Sequence, residues 1–143
     1  MIDTHSHIYG EEFAQDCDDV VQRAFRAGVS HIFLPNINME SIQPMLSLCD
    51  RYPGRLHPMM GLHPSDVNDC FHPIISSMEA LLAVAHHTYL AVGEVGPDFY
   101  WDTTFRKEQL EAFRIQIEWA IRYHLPLVIH VRSAHRELLD VMT

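Results

Sequence analysis

Positive charge is scarce in this chain. Ten lysines and arginines stand against nineteen aspartates and glutamates, which gives the 143 residues a formal net charge of −9 at pH 7, and Lys107 is the only lysine. A protein that binds nucleic acid by neutralising many phosphates needs the opposite sign. The composition therefore excludes a broad basic nucleic-acid interface, and we expect any phosphate group to be held locally.

Signals for disulfides, export and membrane insertion are also missing. Cys17, Cys49 and Cys70 are odd in number and include no Cys-x-x-Cys pair, which argues against a disulfide framework. No apolar run reaches the ~18 residues of a membrane span, and no basic segment follows Met1. We therefore expect a cytoplasmic protein with reduced cysteines and no membrane partner.

What the sequence does contain is a repeated alternation of two apolar patterns. Hydrophobic residues make up 48% of the chain, which is enough for the core of a single domain over 1–143. Runs of strand length alternate with helical spacing, as is typical of β-α units around a parallel sheet. The predicted strands are 2–7, 29–34, 55–61, 89–94 and 127–131. Helical spacing is found over 16–27, 42–49, 78–85 and from about 104 to 125.

A fifth helix is predicted to begin near Ser133, and it has no stop signal. Apolar residues continue from Leu138 to Met142 without Gly, Asn or Pro before Thr143, so we expect the chain to be truncated within this helix. An eight-unit barrel takes about 250 residues. The expected fold class is therefore α/β, of the (β/α)8 TIM-barrel type, with only about the first five β-α units present.

Residues of metal-ligand type stand at the ends of three predicted strands. His5 and His7 are two residues apart, so a strand would point both imidazoles to one face, where they could hold one metal ion. Glu94 ends one apolar run, and His130 ends another. Strand ends of this kind carry the active sites of such barrels. These four residues are the candidate metal ligands; the alternatives are solvated histidines, an ordinary carboxylate and a capped core histidine.

Four motifs occur in order along the chain: Asp3-x-His5-x-His7, Gly61-Leu62-His63-Pro64, the segment from Gly93 to Asp102, and the segment from Leu125 to Arg132. Together they resemble the TatD-type metal-dependent deoxyribonucleases, a branch of the amidohydrolase-like barrels. The resemblance runs from Ile2 to the last residue. It implies two divalent metal ions, and mixed imidazole and carboxylate ligands accept zinc, manganese or magnesium.

The resemblance also distributes the ligands between the two ions. His5 and His7 would hold one ion with Glu94, and His130 would hold the second, with Glu94 bridging the pair. The family completes this set with one more histidine and one aspartate, which would lie beyond Thr143. We therefore expect the activity of this chain by itself to be impaired.

Three further residues are candidates for catalysis. His63 resembles the family's active-site histidine near the scissile phosphate, with loop packing as the alternative. Asp98 could orient ligands or water. The family generally carries an apolar residue other than proline at the position of Pro97. A proline there removes a backbone donor and fixes φ, so we expect the loop beneath Asp98 to differ from that of the family. The planar guanidinium of Arg132 suits a hydrogen bond to a phosphate oxygen; the alternative is a solvated surface charge.

The leading hypothesis is a hydrolase that cleaves phosphodiester bonds at single-stranded DNA ends with a metal-activated water. Tyr100 and Trp101 could stack on a base of this substrate, or they could pack against protein. A different amidohydrolase, acting on a cyclic amide or a base, is the first alternative. Such enzymes commonly bridge their metals with a carbamylated lysine, whereas Lys107 lies inside a predicted helix and Glu94 takes the bridging position.

The second alternative is a non-catalytic half-barrel that associates with itself or with a partner. Stopping after five units leaves the first and fifth strands unpaired on their outer sides. Ile2 lies on one of these edges, and Val128 and Ile129 lie on the other. We therefore expect self-association through the unpaired strand edges.

Overall fold

The computed structural model describes residues 1–143, in which five parallel strands alternate with five α-helices. The strands are β1 (Ile2–Asp3), β2 (His31–Leu34), β3 (Leu56–Pro58), β4 (Val92–Val95) and β5 (Leu127–Ile129). The helices are α1 (Cys17–Arg26), α2 (Met39–Arg51), α3 (Phe71–Ala85), α4 (Arg106–Tyr123) and α5 (His135–Met142). Short 3-10 turns lie at Glu11–Phe13, Pro64–Asp66 and His86–Thr88. The predicted β-α alternation is confirmed.

The strands follow one another in the sheet in the order of the chain. β1 pairs with β2 and β2 with β3, with Ile32 opposite Leu56 in the register. β4 pairs with β5, and a parallel bridge between Met60 and Val92 joins the two parts. Because all five strands run in one direction, their carboxyl ends and the loops after them meet at the same end of the layer.

Helices cover one face of this layer. Ile32 and Leu34 of β2 are buried in a cluster of 24 residues, which also contains Phe113 and Trp119 from α4. Phe33, between them, is only half-buried on the opposite face. The alternation of burial along β2 is the two-residue period expected of a strand with helices on one side.

Several predicted strand boundaries are wrong. β3 and β5 end early, at Pro58 and Ile129 rather than at residues 61 and 131, and β2 and β4 begin late, at His31 and Val92 rather than at residues 29 and 89.

The boundaries of β1 and α3 differ further. β1 ends at Asp3 rather than at residue 7, although the Ser6 amide still donates to the Phe33 carbonyl at 3.1 Å, so the chain stays beside β2 after leaving regular strand geometry. α3 begins at Phe71 rather than near Met78. Its first turn contains Pro73, which is tolerated there because the first amides of a helix have no partner within it.

Apolar surface is exposed at both outer strands and on the last two helices. Ile2 of β1 is 51% exposed and Ile129 of β5 is 38% exposed, while Ile121 of α4 and Leu139 of α5 are more than half exposed. A shallow cavity of about 580 Å³ is lined mainly by apolar residues of α4, β5 and α5. No helix is both long enough and apolar enough to cross a membrane.

Candidate metal centre

At the carboxyl ends of the strands, Glu94 lies at the centre of a polar cluster that it forms with His5, His7, His63 and His130. One of its oxygens, Oε2, is 3.0 Å from Nε2 of His5 and 3.3 Å from Nε2 of His7. These two histidines follow β1, whereas Glu94 lies within β4, so residues almost ninety positions apart meet here. His5, His7 and Glu94 bring their ligand atoms within 4.8 Å of one another.

The second oxygen of Glu94 faces a different pair of imidazoles. Oε1 lies 3.0 Å from Nδ1 of His130 and 3.9 Å from Nε2 of His63. The two rings also approach each other, with His63 Nε2 at 3.3 Å from His130 Nδ1. His63, Glu94 and His130 therefore form a second group of ligand atoms within 4.8 Å of one another. The structure thus places His63 among the candidate ligands, whereas the sequence suggested only a catalytic role for it.

Glycines on both sides of Glu94 allow β4 to approach β5 closely. A Cβ on Gly93 would lie 2.7 Å from Cβ of Val128. At Gly96, where φ is +138°, a Cβ would overlap the carbonyl oxygen of His130. No larger residue fits these positions without moving the strands apart. The close approach lets the His130 amide donate to the Val95 carbonyl at 2.8 Å.

Electrostatics keep Glu94 ionised although only 6% of it is exposed. Burial alone raises the pKa of the Glu94 carboxyl, but hydrogen bonds with His130 and His7 outweigh burial and hold that pKa well below its usual range. The hydrogen bond with Glu94 is also the main cause of a raised pKa at His130. Burial lowers the pKa of His63, which favours its neutral form. A carboxylate and a neutral imidazole are the forms that bind metals.

Asp98 contacts the centre through His130. Its Oδ2 lies 2.8 Å from Nε2 of His130, and its Oδ1 accepts the Tyr100 amide at 3.0 Å. The Asp98 amide donates to the side-chain oxygen of Gln109 at 2.8 Å. Asp98 makes these contacts beside Pro97, whose carbonyl accepts the Arg132 amide at 3.2 Å. A carboxylate on the far nitrogen of a ligand histidine fixes the ring and its tautomer.

Arg132 does not contact the cluster through its side chain. Its guanidinium carbon lies 3.8 Å from the ring centroid of Tyr100 and 5.3 Å from that of Trp101. Both aromatic rings are more than half exposed, so they are not packed into the core. Cation and rings together form a surface group beside Asp98.

Tyr9 is a site residue that the sequence analysis missed. Its phenol oxygen lies 2.9 Å from Nδ1 of His7 and donates to the carbonyl oxygen of Pro35. Tyr9 is buried, and burial raises its pKa, so it stays a neutral phenol. The available signal was the two-residue spacing, since Tyr9 continues the alternation of His5 and His7.

Asn36 is a second missed residue, and no sequence signal distinguished it. It is fully buried at the end of β2. Its side-chain nitrogen donates to the carbonyls of Gly61 and Asn38, both at 2.9 Å. Its backbone exchanges hydrogen bonds with Gly93 and Glu94. Asn36 therefore ties the strand that carries Glu94 to the loop that leads to His63.

The donor set is of the type that binds divalent metal ions. The four imidazoles and the carboxylate of Glu94 form the two groups described above. Each group offers three ligand atoms, two nitrogens and one oxygen. Three protein ligands with further positions open is the pattern of catalytic rather than structural metal sites.

Comparison with known proteins relates this arrangement to a family. The family model described as TatD related DNase matches residues 2–143. The chain is 36% identical to the 3'-5' ssDNA/RNA exonuclease TatD of Salmonella typhimurium, with 99% of this chain and 54% of that protein covered. It is 29% identical to an uncharacterized metal-dependent hydrolase, YabD, of Bacillus subtilis, again over 99% of this chain and 54% of the relative.

Solved structures agree with the sequence matches. The crystal structure of YjjV, a TatD homologue of Escherichia coli K12, superposes with a TM-score of 0.86 at 31% identity, covering 98% of this chain and 54% of that one. A TatD-family hydrolase of Entamoeba histolytica, at 23% identity, shares the fold with a TM-score of 0.87, over 99% of this chain and 52% of that one. The α/β class with parallel strands is confirmed, and the match to TIM-barrel structures is partial, because the chain spans about half the length of these relatives. The chain belongs to the TatD-related DNase family.

Proposed function

We propose that this chain carries the dinuclear metal site of a hydrolase that cleaves phosphodiester bonds in single-stranded nucleic acid. The single observation that carries the proposal is the position of Glu94, whose two oxygens each face a different pair of histidines. A carboxylate in that position can bridge two divalent ions. The Salmonella relative is named as a 3'-5' ssDNA/RNA exonuclease, which supports single-stranded nucleic acid as the substrate.

His5, His7 and Glu94 would hold one ion, and Glu94 and His130 would hold the other with His63 nearby. The imidazole-rich donor set favours zinc or manganese over magnesium, which prefers oxygen ligands. When bound, such ions polarise a phosphate oxygen and supply hydroxide from water at neutral pH. The remaining steps fall to side chains of the protein.

Each side chain of the cluster has a separate task in this proposal. Glu94 stays ionised and would bind the metal ions. Asp98 holds the His130 ring in one orientation through the contact of 2.8 Å. His63, whose Nε2 stands 3.9 Å from Oε1 of Glu94 and 3.3 Å from Nδ1 of His130, would stay free of the metal in this proposal, so its imidazole can accept or return a proton beside the scissile phosphate. Arg132, on the aromatic pair, can contact a phosphate oxygen of the bound strand.

The amidohydrolase alternative receives no support from the structure. Lys107 is exposed on α4 and has no place in the cluster. In this proposal Glu94, whose two oxygens face different histidines, would take the bridging position instead.

The test is a cleavage assay on an end-labelled single-stranded oligonucleotide, with manganese or zinc added to metal-stripped protein. We expect hydrolysis that requires the metal, is stopped by EDTA and falls at least ~100-fold in Glu94→Gln. Glu118→Gln, a matched change at an exposed carboxylate on α4, should leave the rate unchanged. Hydrolysis that survives in Glu94→Gln, or hydrolysis of a cyclic amide in place of the diester, would refute the proposal.

We also propose that the protein acts in the cytoplasm as a single domain and that it self-associates. The support for association is the exposed apolar surface of β1, β5 and α5, where Ile2, Ile129 and Leu139 are exposed. The support for the compartment is that the three cysteines are unpaired, as is typical of proteins in a reducing compartment.

A further inference from the structure

The two exposed aromatic residues stand next to the metal centre. Trp101 is 79% exposed and Tyr100 is 53% exposed, with their rings edge to face at 4.7 Å. The Tyr100 amide donates to Asp98, which itself contacts His130. Asp98 is therefore the one residue that lies between the aromatic pair and His130, a candidate metal ligand. An aromatic pair with exposed faces at this place is available to stack on a base of a single strand.

Arg132 holds the orientation of this pair. Its guanidinium covers one face of Tyr100 at 3.8 Å and stands 5.3 Å from the centroid of Trp101. The Arg132 backbone is itself fixed, because its amide donates to Pro97 and its carbonyl accepts the Phe99 amide. Arg132 thus stabilises the Tyr100 ring and keeps a positive charge beside it, while Trp101 keeps most of its surface free.

Trp101 also forms a wall of a cleft of about 410 Å³. The 3-10 turn at Ser65 and Asp66 lies on the cleft's lining, as do Asp98 and Asp102. A cleft of this volume is large enough for a planar heterocycle. Its carboxylates repel phosphate but accept hydrogen bonds from amino groups, so the base of a nucleotide fits the cleft while its phosphate stays outside, near Arg132.

We propose that this cleft is a base-binding subsite, in which Trp101 stacks on an unpaired base of the nucleotide beside the scissile phosphate. The inference rests on the proposed cleavage of single-stranded nucleic acid. It adds a preference that follows from the carboxylates: cytosine presents an amino donor where thymine presents a carbonyl acceptor. The subsite therefore prefers cytosine to thymine, two bases of the same ring size.

The test measures binding in EDTA, so that no hydrolysis occurs. The chain has two tryptophans; Trp119 is 1% exposed and Trp101 is 79% exposed, so quenching of emission by short oligo(dC) reports on Trp101. Anisotropy of a labelled oligo(dC) gives the affinity of each variant. We expect Trp101→Ala to weaken binding by about 5- to 100-fold. Trp101→Phe should keep most of the affinity, and Val84→Ala, an exposed truncation on α3, should keep all of it.

Three results would overturn the subsite: equal affinity of the Trp101→Ala variant, equal affinity of the wild-type chain for an abasic strand of the same length, or no quenching by any oligonucleotide. Equal affinity for oligo(dT) and oligo(dC) would refute the role of the carboxylates. The outcome is separable from the proposed function. Stacking without metal-dependent cleavage would refute the nuclease, whereas cleavage that is indifferent to Trp101 and to the presence of a base would refute the subsite.

Discussion

Nδ1 of His7 lies 2.9 Å from the phenol oxygen of Tyr9. Because Tyr9 donates its own proton to the Pro35 carbonyl, it can only accept from His7, so Nδ1 of His7 carries a proton. When His7 gives up its hydrogen bond with Glu94 and binds a metal as a neutral ring, its lone pair is therefore on Nε2, the atom that faces Glu94 at 3.3 Å. Tyr9 therefore presents the correct nitrogen of His7 to a metal ion.

We expect Tyr9→Phe to lower the affinity of the site for manganese or zinc by about 10- to 100-fold. Nitrogen NMR of the His7 ring should also show that the proton no longer prefers Nδ1. Tyr52→Phe is the matched control, since it removes a phenol that contacts Asp18 away from the site. An unchanged metal affinity in Tyr9→Phe would mean that His7 is oriented without the phenol.

The division of the histidines between the two oxygens of Glu94 predicts how metal stoichiometry changes. His5→Ala should remove one metal equivalent and His130→Ala the other, because each histidine contacts a different carboxylate oxygen. Glu94→Gln should weaken both equivalents together. Calorimetry with zinc or manganese measures the stoichiometry, with Glu118→Gln as control. A tight equivalent that persists in Glu94→Gln would show that the carboxylate does not bridge.

Gly93 is expected to control both stability and metal binding. Gly93→Ala brings its Cβ against Cβ of Val128, which should push β4 from β5 and cost about 1–3 kcal/mol of unfolding free energy. Because Glu94 lies on β4 and His130 directly follows β5, metal affinity should fall as well. Gly54→Ala, at a φ of +75° with open space around it, should lower stability and leave metal affinity intact. Denaturant melts and calorimetry give the two quantities, and equal metal affinity in both variants would contradict the strand-spacing argument.

The exposed apolar surface predicts self-association. We expect the mass from light scattering to rise with concentration, and Leu139→Glu on α5 to shift the protein toward the monomer, because a charge in an apolar interface is costly to desolvate. Val84→Glu is the matched control at an exposed apolar position of α3. A monomeric mass at every concentration would refute association.

The sequence by itself determined the β-α alternation and most of the candidate ligands. Both depend on local patterns: strand-length apolar runs, and His or Glu at the ends of those runs. A parallel sheet brings strand ends together whatever the details of packing. For this reason His5, Glu94 and His130 could be named before their contacts were known.

Only the tertiary structure decided which histidines face each oxygen of Glu94 and which neighbouring residues hold them in place. His63 as a candidate ligand, Tyr9 on His7 and Asn36 beside Glu94 all depend on contacts between distant segments, such as the 26 residues that separate Tyr9 from Pro35. The same holds for the spacing at Gly93, which is set by Val128 on the neighbouring strand. Residue type and local spacing do not specify which side chain of a neighbouring strand will lie opposite a given residue. Directional hydrogen bonds and close packing therefore become known only from the folded chain.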